Sequence, residues 1–372
     1  MKKYTCPYCY GVHDLKTSIL KCSYNVPGKA DKCHTNVQKD KTGAVLSVAD
    51  KKRCLNCKAA RKAVYCNVVN KEIPSDFLNG ENFSVALLGA KASGKSNYIG
   101  VLINEIKKKM TSAFNCTLSL ASSEESREYY NDHYYEPLFK NGRVVDATSQ
   151  DEIPPLIFPL RFMDKKNRMT KVAALSFYDT AGENLDSPDQ MVVNNRYIPN
   201  AHGIILLLDP LQVPSIRERL KDKIPLPAQN TDVIEILSRI VETIRNVKNI
   251  RGTIKTPLAL AFTKIDALEE FDILRDDSCL KEESEHLKRG MFVKTDFESV
   301  NIEMQDVLEN WMDGELEQLM KNFENYAFFG LTSLGGVPNG NKLSTDKISP
   351  RRVLDPLLWL LAEKKYIKTV KQ

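Results

Sequence analysis

The run Phe83-Ser-Val-Ala-Leu-Leu88 leads straight into Gly89-Ala90-Lys91-Ala92-Ser93-Gly94-Lys95-Ser96, which fits G-x-x-x-x-G-K-[ST] at every fixed position. A strand that ends in a glycine-bounded turn and enters a helix aims several backbone N–H groups at one point, where the helix dipole also favours negative charge. Phosphate is the expected guest. Gly89 and Gly94 permit close backbone approach that a Cβ would block, Lys95 can reach the β and γ phosphates, and the Ser96 hydroxyl can ligate Mg²⁺. Gly89, Ala90, Lys91, Ala92, Ser93, Gly94, Lys95, Ser96 and Asn97 are therefore the predicted phosphate-binding residues, opening the helix-like Tyr98–Ile106.

Outward from this loop the chain alternates. Apolar strand candidates at 83–88, 156–162, 171–178, 203–208, 257–262 and 327–331 are separated by helical-period stretches at 95–110, 231–248, 298–323 and 352–365. Continuous apolar strands with intervening helices predict an α/β fold, a mostly parallel sheet covered on both faces. Residues 163–170 leave no room for a helix between the second strand and the third, so these two form an antiparallel hairpin at one edge, with its turn near Asp164–Asn167.

Three further elements follow the loop in order. Tyr178-Asp179-Thr-Ala-Gly182-Glu183 places a carboxylate where a strand ends, Leu260-Ala-Phe-Thr263-Lys264-Ile-Asp266 ends another, and Phe329-Gly330-Leu-Thr332-Ser333-Leu-Gly335 follows a third. Together they resemble the translation-factor-related, Ras-like GTPases. The resemblance implies that Asp179 holds Mg²⁺ and that the Gly182 N–H senses the γ-phosphate. It also implies that Asp266 accepts two hydrogen bonds from guanine, that the Lys264 stem packs on the base, and that Thr332 and Ser333 lie by guanine O6. Thr263 replaces the usual Asn, which is expected to weaken the brace on the phosphate loop. A switch threonine should precede the second strand; Thr148 is the candidate, with Thr111 and Thr117 behind it. Mg²⁺ would then be held by Ser96, Asp179 and Thr148, with Lys95, Thr148 and Glu183 as the catalytic set. Glu183 stands where Ras-like proteins use glutamine. Arg196, Arg217, Arg219, Arg351 and Arg352 are the candidates for an arginine finger. Insertions are expected at 123–139, with helical character, and at 210–230 and 267–297.

The N-terminus has a different chemistry. Seven of the nine cysteines lie there, Cys6, Cys9, Cys22, Cys33, Cys54, Cys57 and Cys66, and two pairs are spaced C-x-x-C. That spacing lets two thiolates from one tight turn take adjacent corners of a Zn²⁺ tetrahedron. A disulfide framework needs an oxidising compartment, which a phosphate-binding loop without a leading apolar segment argues against. One partition gives Cys6, Cys9, Cys22 and Cys33 to a first ion and Cys54, Cys57 and Cys66, with a histidine or nothing, to a second. Another pairs Cys6, Cys9, Cys54 and Cys57. His13 and His34 are the available histidines, and Val69 stands where a Cys66-x-x-Cys would have completed a knuckle. One or two Zn²⁺ are expected, in a zinc-ribbon-like module of residues 1–75. Residues 76–82 read as a linker, and the GTPase domain with its insertions occupies 83–372.

Charge divides the chain at the same place. Residues 1–75 hold 15 Lys/Arg against 5 Asp/Glu, a net of +10, and the rest carries 38 against 43, a net of −5. A basic module suits nucleic acid, an anionic membrane or an acidic protein. No pattern for stacking bases accompanies the lysines, so a protein partner is favoured over nucleic acid. The longest central apolar run, Gly203–Leu208, is far shorter than the roughly 20 residues that span a bilayer, so a cytoplasmic protein is expected. The cysteine-rich start, the insertion-bearing G domain and the terminal Arg351–Leu361 resemble the bacterial "double-GTPase" group of conflict and antiviral defence systems. That resemblance implies a GTP- and GDP-binding switch that hydrolyses slowly, with the metal module or the switch regions engaging a protein. A scaffold that binds GTP without turnover, and a zinc-ribbon GTPase acting on RNA or the ribosome, are the alternatives.

Overall fold

In the computed structural model the chain divides into two units, Met1–Asn82 and Phe83–Gln372. Described are residues 3–371 other than 16–17, 26, 30, 40–44, 47–53, 55, 60–61, 80–82, 90–92, 120–123, 147–155, 178–196, 224–225, 227–232, 271–272, 313 and 344–346.

The first unit is built from short strands: β1 (Lys3–Thr5), β2 (Val12–Asp14), β3 (Ile19–Cys22), β4 (Gln38–Lys39), β5 (Val45–Leu46), β6 (Lys62–Tyr65) and β7 (Glu72–Ile73). They pair antiparallel as β1-β2, β3-β6-β7 and β4-β5. Little apolar surface is available to bury, and Tyr4, Tyr10, Tyr65, Ile73 and Phe77 share the interior with Cys6, Cys22 and Cys66. Phe77 belongs to a helix, Ser75–Asn79, that occupies the start of the expected 76–82 linker. Its burial against this unit explains why turn-forming neighbours did not leave the segment extended.

One tight turn recurs three times. Cys6 N–H donates to Gly11 O while Tyr10 N–H donates to Cys6 O, and the same pair of bonds joins Cys54 with Lys58 and Ala59, and Cys66 with Asn70 and Lys71. The fifth residue of each turn has positive φ: 58° at Tyr10, 59° at Lys58 and 53° at Asn70. Only the first two read as C-x-x-C, so the third turn is invisible to the cysteine spacing.

The second unit carries β8 (Val85–Gly89), β9 (Cys116–Leu118), β10 (Leu156–Met163), β11 (Met169–Phe177), β12 (Gly203–Leu208), β13 (Leu258–Phe262), β14 (Phe292–Val293), β15 (Tyr326–Gly330) and β16 (Thr369–Val370). A parallel sheet runs β15-β13-β12-β8, with β8, β12 and β13 buried along their whole length, as strands covered on both faces must be. Its covering helices include Lys95–Glu105, Val233–Lys248, Lys294–Trp311 and Asp355–Glu363. The expected hairpin is present. β10 and β11 pair across a turn in which the Asp164 carboxylate accepts from the N–H groups of Lys166 and Arg168, and β9 adds a third antiparallel strand.

Parallel register fixes the position of the site. Leu207 lies opposite Gly89, Leu208 opposite Phe262, and Phe262 opposite Gly330, so the carboxyl ends of four strands finish along one edge. Two expected elements differ in detail. The stretch 298–323 is two helices, Lys294–Trp311 and Glu315–Met320, separated at Gly314 with φ 77°. The insertion at 123–139 is helical, Glu124–Tyr130 continuing as a π-helix over Asn131–Lys140. It packs on the phosphate-loop helix at Gly100, where a Cβ would come within 2.6 Å of Leu138.

Candidate functional site

Along that carboxyl edge the glycine-bounded loop leaves β8. Gly89 ends the strand at a point where an added Cβ would lie 2.4 Å from Ser93 Oγ and 3.2 Å from Leu207 O, so only glycine lets the loop fold back on itself. Gly94 has φ 80° and precedes the helix, whose first turn closes with Tyr98 N–H donating to Gly94 O at 2.9 Å. Lys95 is buried in the first turn. Ser93 is 1% exposed, and its hydroxyl has no hydrogen-bond partner among the described residues. A glycine cradle, a helix start and a buried lysine fit a phosphate group. Ala90, Lys91 and Ala92 lie outside the described residues.

Asn97 turns its side chain another way. Its Oδ1 accepts from Val145 N–H at 2.8 Å, tying the loop helix to the segment that leads to Thr148. Thr148, Asp179, Gly182, Glu183 and Arg196 themselves lie outside the described residues. Thr111 and Thr117 do not reach the loop's mouth: Thr111 donates its hydroxyl to Lys107 O within the continuing helix, and Thr117 pairs with Arg161 between β9 and β10.

At the end of β13, the Thr263 hydroxyl lies 2.9 Å from Ser93 O and 3.1 Å from Leu208 O. Thr263 therefore links the loop that follows β13 to the phosphate loop, its single hydroxyl proton shared between the two carbonyls. Lys264 then adopts φ 56°, a left-handed conformation costly for a side chain with a Cβ, and its ammonium reaches Asp209 Oδ2 at 2.5 Å. Thr332 Oγ1 accepts from Asp266 N–H at 3.1 Å and donates to Asp266 Oδ1 at 3.2 Å, orienting that carboxylate. Burial pushes the Asp266 carboxyl above its ordinary value, against the Thr332 hydrogen bond and the charges of Arg351 and Lys264. The Ser333 hydroxyl is buried beside Thr332 with no hydrogen-bond partner among the described residues.

Two arginines offered as fingers are structural. Arg351 exchanges backbone hydrogen bonds with Thr332 and pairs with Glu269 at 2.5 Å. The Arg352 side chain is 1% exposed and pairs with Asp296 and Asp355, both at 2.9 Å. His286, Asp296 and Asp355 gather like metal ligands, but the Arg352 guanidinium already supplies their positive charge. Arg217 donates to Leu211 O. Asp209 is the site residue that sequence reasoning missed, although its place directly after the run Gly203–Leu208 was a legible signal.

In the first unit the cysteines form two clusters that match neither expected partition. Cys6, Cys9, His13 and Cys66 make one, and Cys22, Cys33, Cys54 and Cys57 the other, with ligand atoms within 4.8 Å of one another in each. In the first, Cys9 Sγ lies 3.0 Å from His13 Nε2 and 3.5 Å from Cys66 Sγ; in the second, Cys22–Cys57 and Cys33–Cys54 are 3.4 and 3.5 Å. A zinc tetrahedron with S ligands has an edge of about 3.8 Å, so both donor sets fit the ion. Hydrogen bonding to Cys9 and burial push the Cys6 thiol up, while the same bond holds Cys9 down at about 4. The partition follows from the ladder. β3 and β6 run antiparallel with Cys22 opposite Lys62 and Ile19 opposite Tyr65, so Cys22 and Cys66 emerge at opposite ends. His13 fills the corner that Val69 leaves in the third turn. His34 is not a ligand; its Nδ1 lies 3.0 Å from the Tyr65 hydroxyl.

A model of the Double-GTPase 2 family matches residues 84–321, which contain the phosphate loop, the strand that runs into Lys264 and Asp266, and the insertions. The chain belongs to the Double-GTPase 2 family. This double-GTPase is thus a P-loop GTPase, as the order of its motifs implied. It is 23% identical over 315 residues to the "Putative ESX-1 scaffolding and assembly protein SaeC" of Mycolicibacterium smegmatis, covering 79% of this chain and 78% of that one. Among solved structures, the Arl6 small GTPase of Trypanosoma brucei with a bound nucleotide analogue aligns at 12% identity and TM-score 0.33, over 77% of this chain and 99% of that one. The GTP-bound Ski7 GTPase-like domain of S. cerevisiae aligns at 16% identity and TM-score 0.34, over 76% of this chain and 50% of that one. No helix among the described residues is long and apolar enough to cross a membrane.

Proposed function

We propose that this double-GTPase is a molecular switch that distinguishes GTP from GDP and hydrolyses GTP slowly. The observation that carries the reading is the Thr263 hydroxyl: one side chain joins the phosphate loop at Ser93 O to the strand that ends in Lys264 and Asp266. A base pocket and a phosphate cradle linked in this way suit a guanine nucleotide lying across the carboxyl edge of the sheet. Lys95 would bind the β and γ phosphates, Ser96 with Asp179 and Thr148 would hold Mg²⁺, and Gly182 would sense the γ-phosphate. The ion supplies charge neutralisation at the transferred phosphoryl group. Glu183 would orient the attacking water. Asp266 reads the guanine edge, and Thr332 holds it in place.

Two Zn²⁺, one on each cysteine cluster, would fold residues 1–75 into an adaptor for a protein partner, since each structural zinc contributes on the order of 10 kcal/mol to so small a core. The partner reading draws support from the mycobacterial relative, whose name assigns it scaffolding and assembly. We place the switch in the cytoplasm, as a signalling component of a bacterial conflict or defence system.

The test is the nucleotide carried by the native protein, read by chromatography after denaturation, followed by titration with GTP and ATP. GTP and GDP should bind at least ~100-fold more tightly than ATP, because a buried carboxylate left unmatched by the wrong base costs several kcal/mol. Comparable ATP and GTP affinities would overturn the guanine reading. Tight GTP binding with no turnover under any condition would favour the non-hydrolysing scaffold.

A further inference from the structure

Asp209 closes β12, between the phosphate loop and the base-reading loop. Two residues earlier Leu207 faces Gly89, and one residue earlier Leu208 faces Phe262. Its side chain is wholly buried, and a carboxylate so placed must be matched by donors. Oδ1 accepts from Leu211 N–H at 2.9 Å, capping the short turn Pro210–Gln212. Oδ2 takes the Lys264 ammonium at 2.5 Å, although the Lys264 side chain is 35% exposed. The partly exposed side chain therefore starts at the base-reading loop and ends at a fixed buried anchor. Its left-handed backbone at φ 56° suits this reach, because it turns the side chain back across the strand ends.

We propose that Asp209 is a positioning residue for nucleotide binding: by holding the Lys264 ammonium, it fixes the lysine stem as a rigid apolar floor for the base. The proposal rests on the reading of Thr263–Asp266 as the base-reading loop. A free lysine stem samples many rotamers, and ordering it on binding would oppose affinity. Anchored in advance, it is preorganised. The floor touches the flat face of the base and not its edge, so it contributes to affinity for any purine, while Asp266 sets the choice between them.

The experiment measures fluorescent GDP and GTP-analogue binding to the full-length protein and to Asp209→Asn, Lys264→Met and the double variant. Asp209→Asn keeps an acceptor for Leu211 N–H and puts an uncharged NH₂, which cannot accept from the ammonium, where Oδ2 held Lys264. It should weaken GDP and GTP equally, by about tenfold, through faster dissociation, and leave the GTP-over-ATP ratio intact. In the Lys264→Met background the same substitution should change affinity by less than about twofold, since the pair is already broken. A purely structural role would instead lower the melting temperature to the same extent in both backgrounds, without this coupling in dissociation rate. Wild-type nucleotide affinity in Asp209→Asn, or full additivity in the double variant, overturns the proposal while leaving guanine recognition standing. Failure of the wild type to prefer GTP over ATP defeats the base-reading interpretation itself.

Discussion

At the scale of single residues, two hydroxyls tie this site together. Thr263 bridges Ser93 O and Leu208 O, and Thr332 both donates to and accepts from Asp266. Thr263→Val keeps the shape and removes the donor. It takes the hydroxyl donor from Ser93 O, while Leu208 O keeps the Thr263 N–H, so it should lower GTP affinity by roughly tenfold, from the 1–3 kcal/mol such a loss costs. Isothermal titration would show this, and an unchanged affinity would mean that the brace is idle. Asp266 has a further consequence. Burial raises its pKa, while guanine recognition needs the carboxylate, so nucleotide binding favours the deprotonated form. GTP affinity should therefore fall as pH drops through this raised pKa, beginning at a higher pH than an ordinary aspartate would give. Asp266→Asn should abolish that pH dependence, shift preference towards xanthine nucleotides, and stabilise the nucleotide-free protein by removing a poorly solvated charge.

Elements add constraints that no single residue shows. The end of β8 is pressed between Ser93 and Leu207, so Gly89→Ala requires the phosphate loop to move by more than a side-chain adjustment. Triphosphate binding should be lost, with secondary structure retained by circular dichroism. The cysteine turns give a sharper expectation. Because Cys6 and Cys54 serve different clusters, Cys6→Ser and Cys54→Ser should each remove one of two zinc ions per chain, and the double variant should remove both. His13→Ala should behave like Cys6→Ser, and His34→Ala should keep two ions. Elemental analysis decides this, and a single ion lost from both cysteine variants would restore the paired-knuckle arrangement.

Over the whole molecule, the phosphate loop and the two cysteine clusters fall on separate units, with the boundary at Asn82 and Phe83. A chelator that strips zinc should leave GTP affinity within about twofold, because every described nucleotide-site residue lies beyond Phe83. Acid should act on the second unit. His202 is half-buried, and its Nδ1 accepts from the Ser84 hydroxyl at 2.8 Å and from Ser84 N–H at 3.3 Å; partial burial, with Lys364 and Lys248 adding to it, lowers its pKa to about 4. The unfolded chain binds a proton near 6.5 that the folded chain refuses until about 4. Stability is therefore full above 6.5 and declines as pH falls through that window, by roughly 3 kcal/mol. His202→Asn should flatten this decline in urea titrations at pH 7 and pH 5.

The sequence by itself determined what local chemistry determines. The phosphate loop, the apolar strands, the alternation with helices and the thiolate pairs are each written within a few consecutive residues, and β8, β12 and β13 formed within two residues of their expected ends. Only the tertiary structure decided which distant residues meet. The β3–β6 ladder sends Cys22 and Cys66 to different clusters, and the third cysteine turn takes His13 from another strand. Parallel register brings Asp209, Thr263 and Ser93 to one edge, where the Thr263 hydroxyl reaches Ser93 O and an unforeseen aspartate anchors Lys264. Such pairings depend on strand order and register, which are set by the packing of the whole sheet and leave no trace in the spacing of the residues they join.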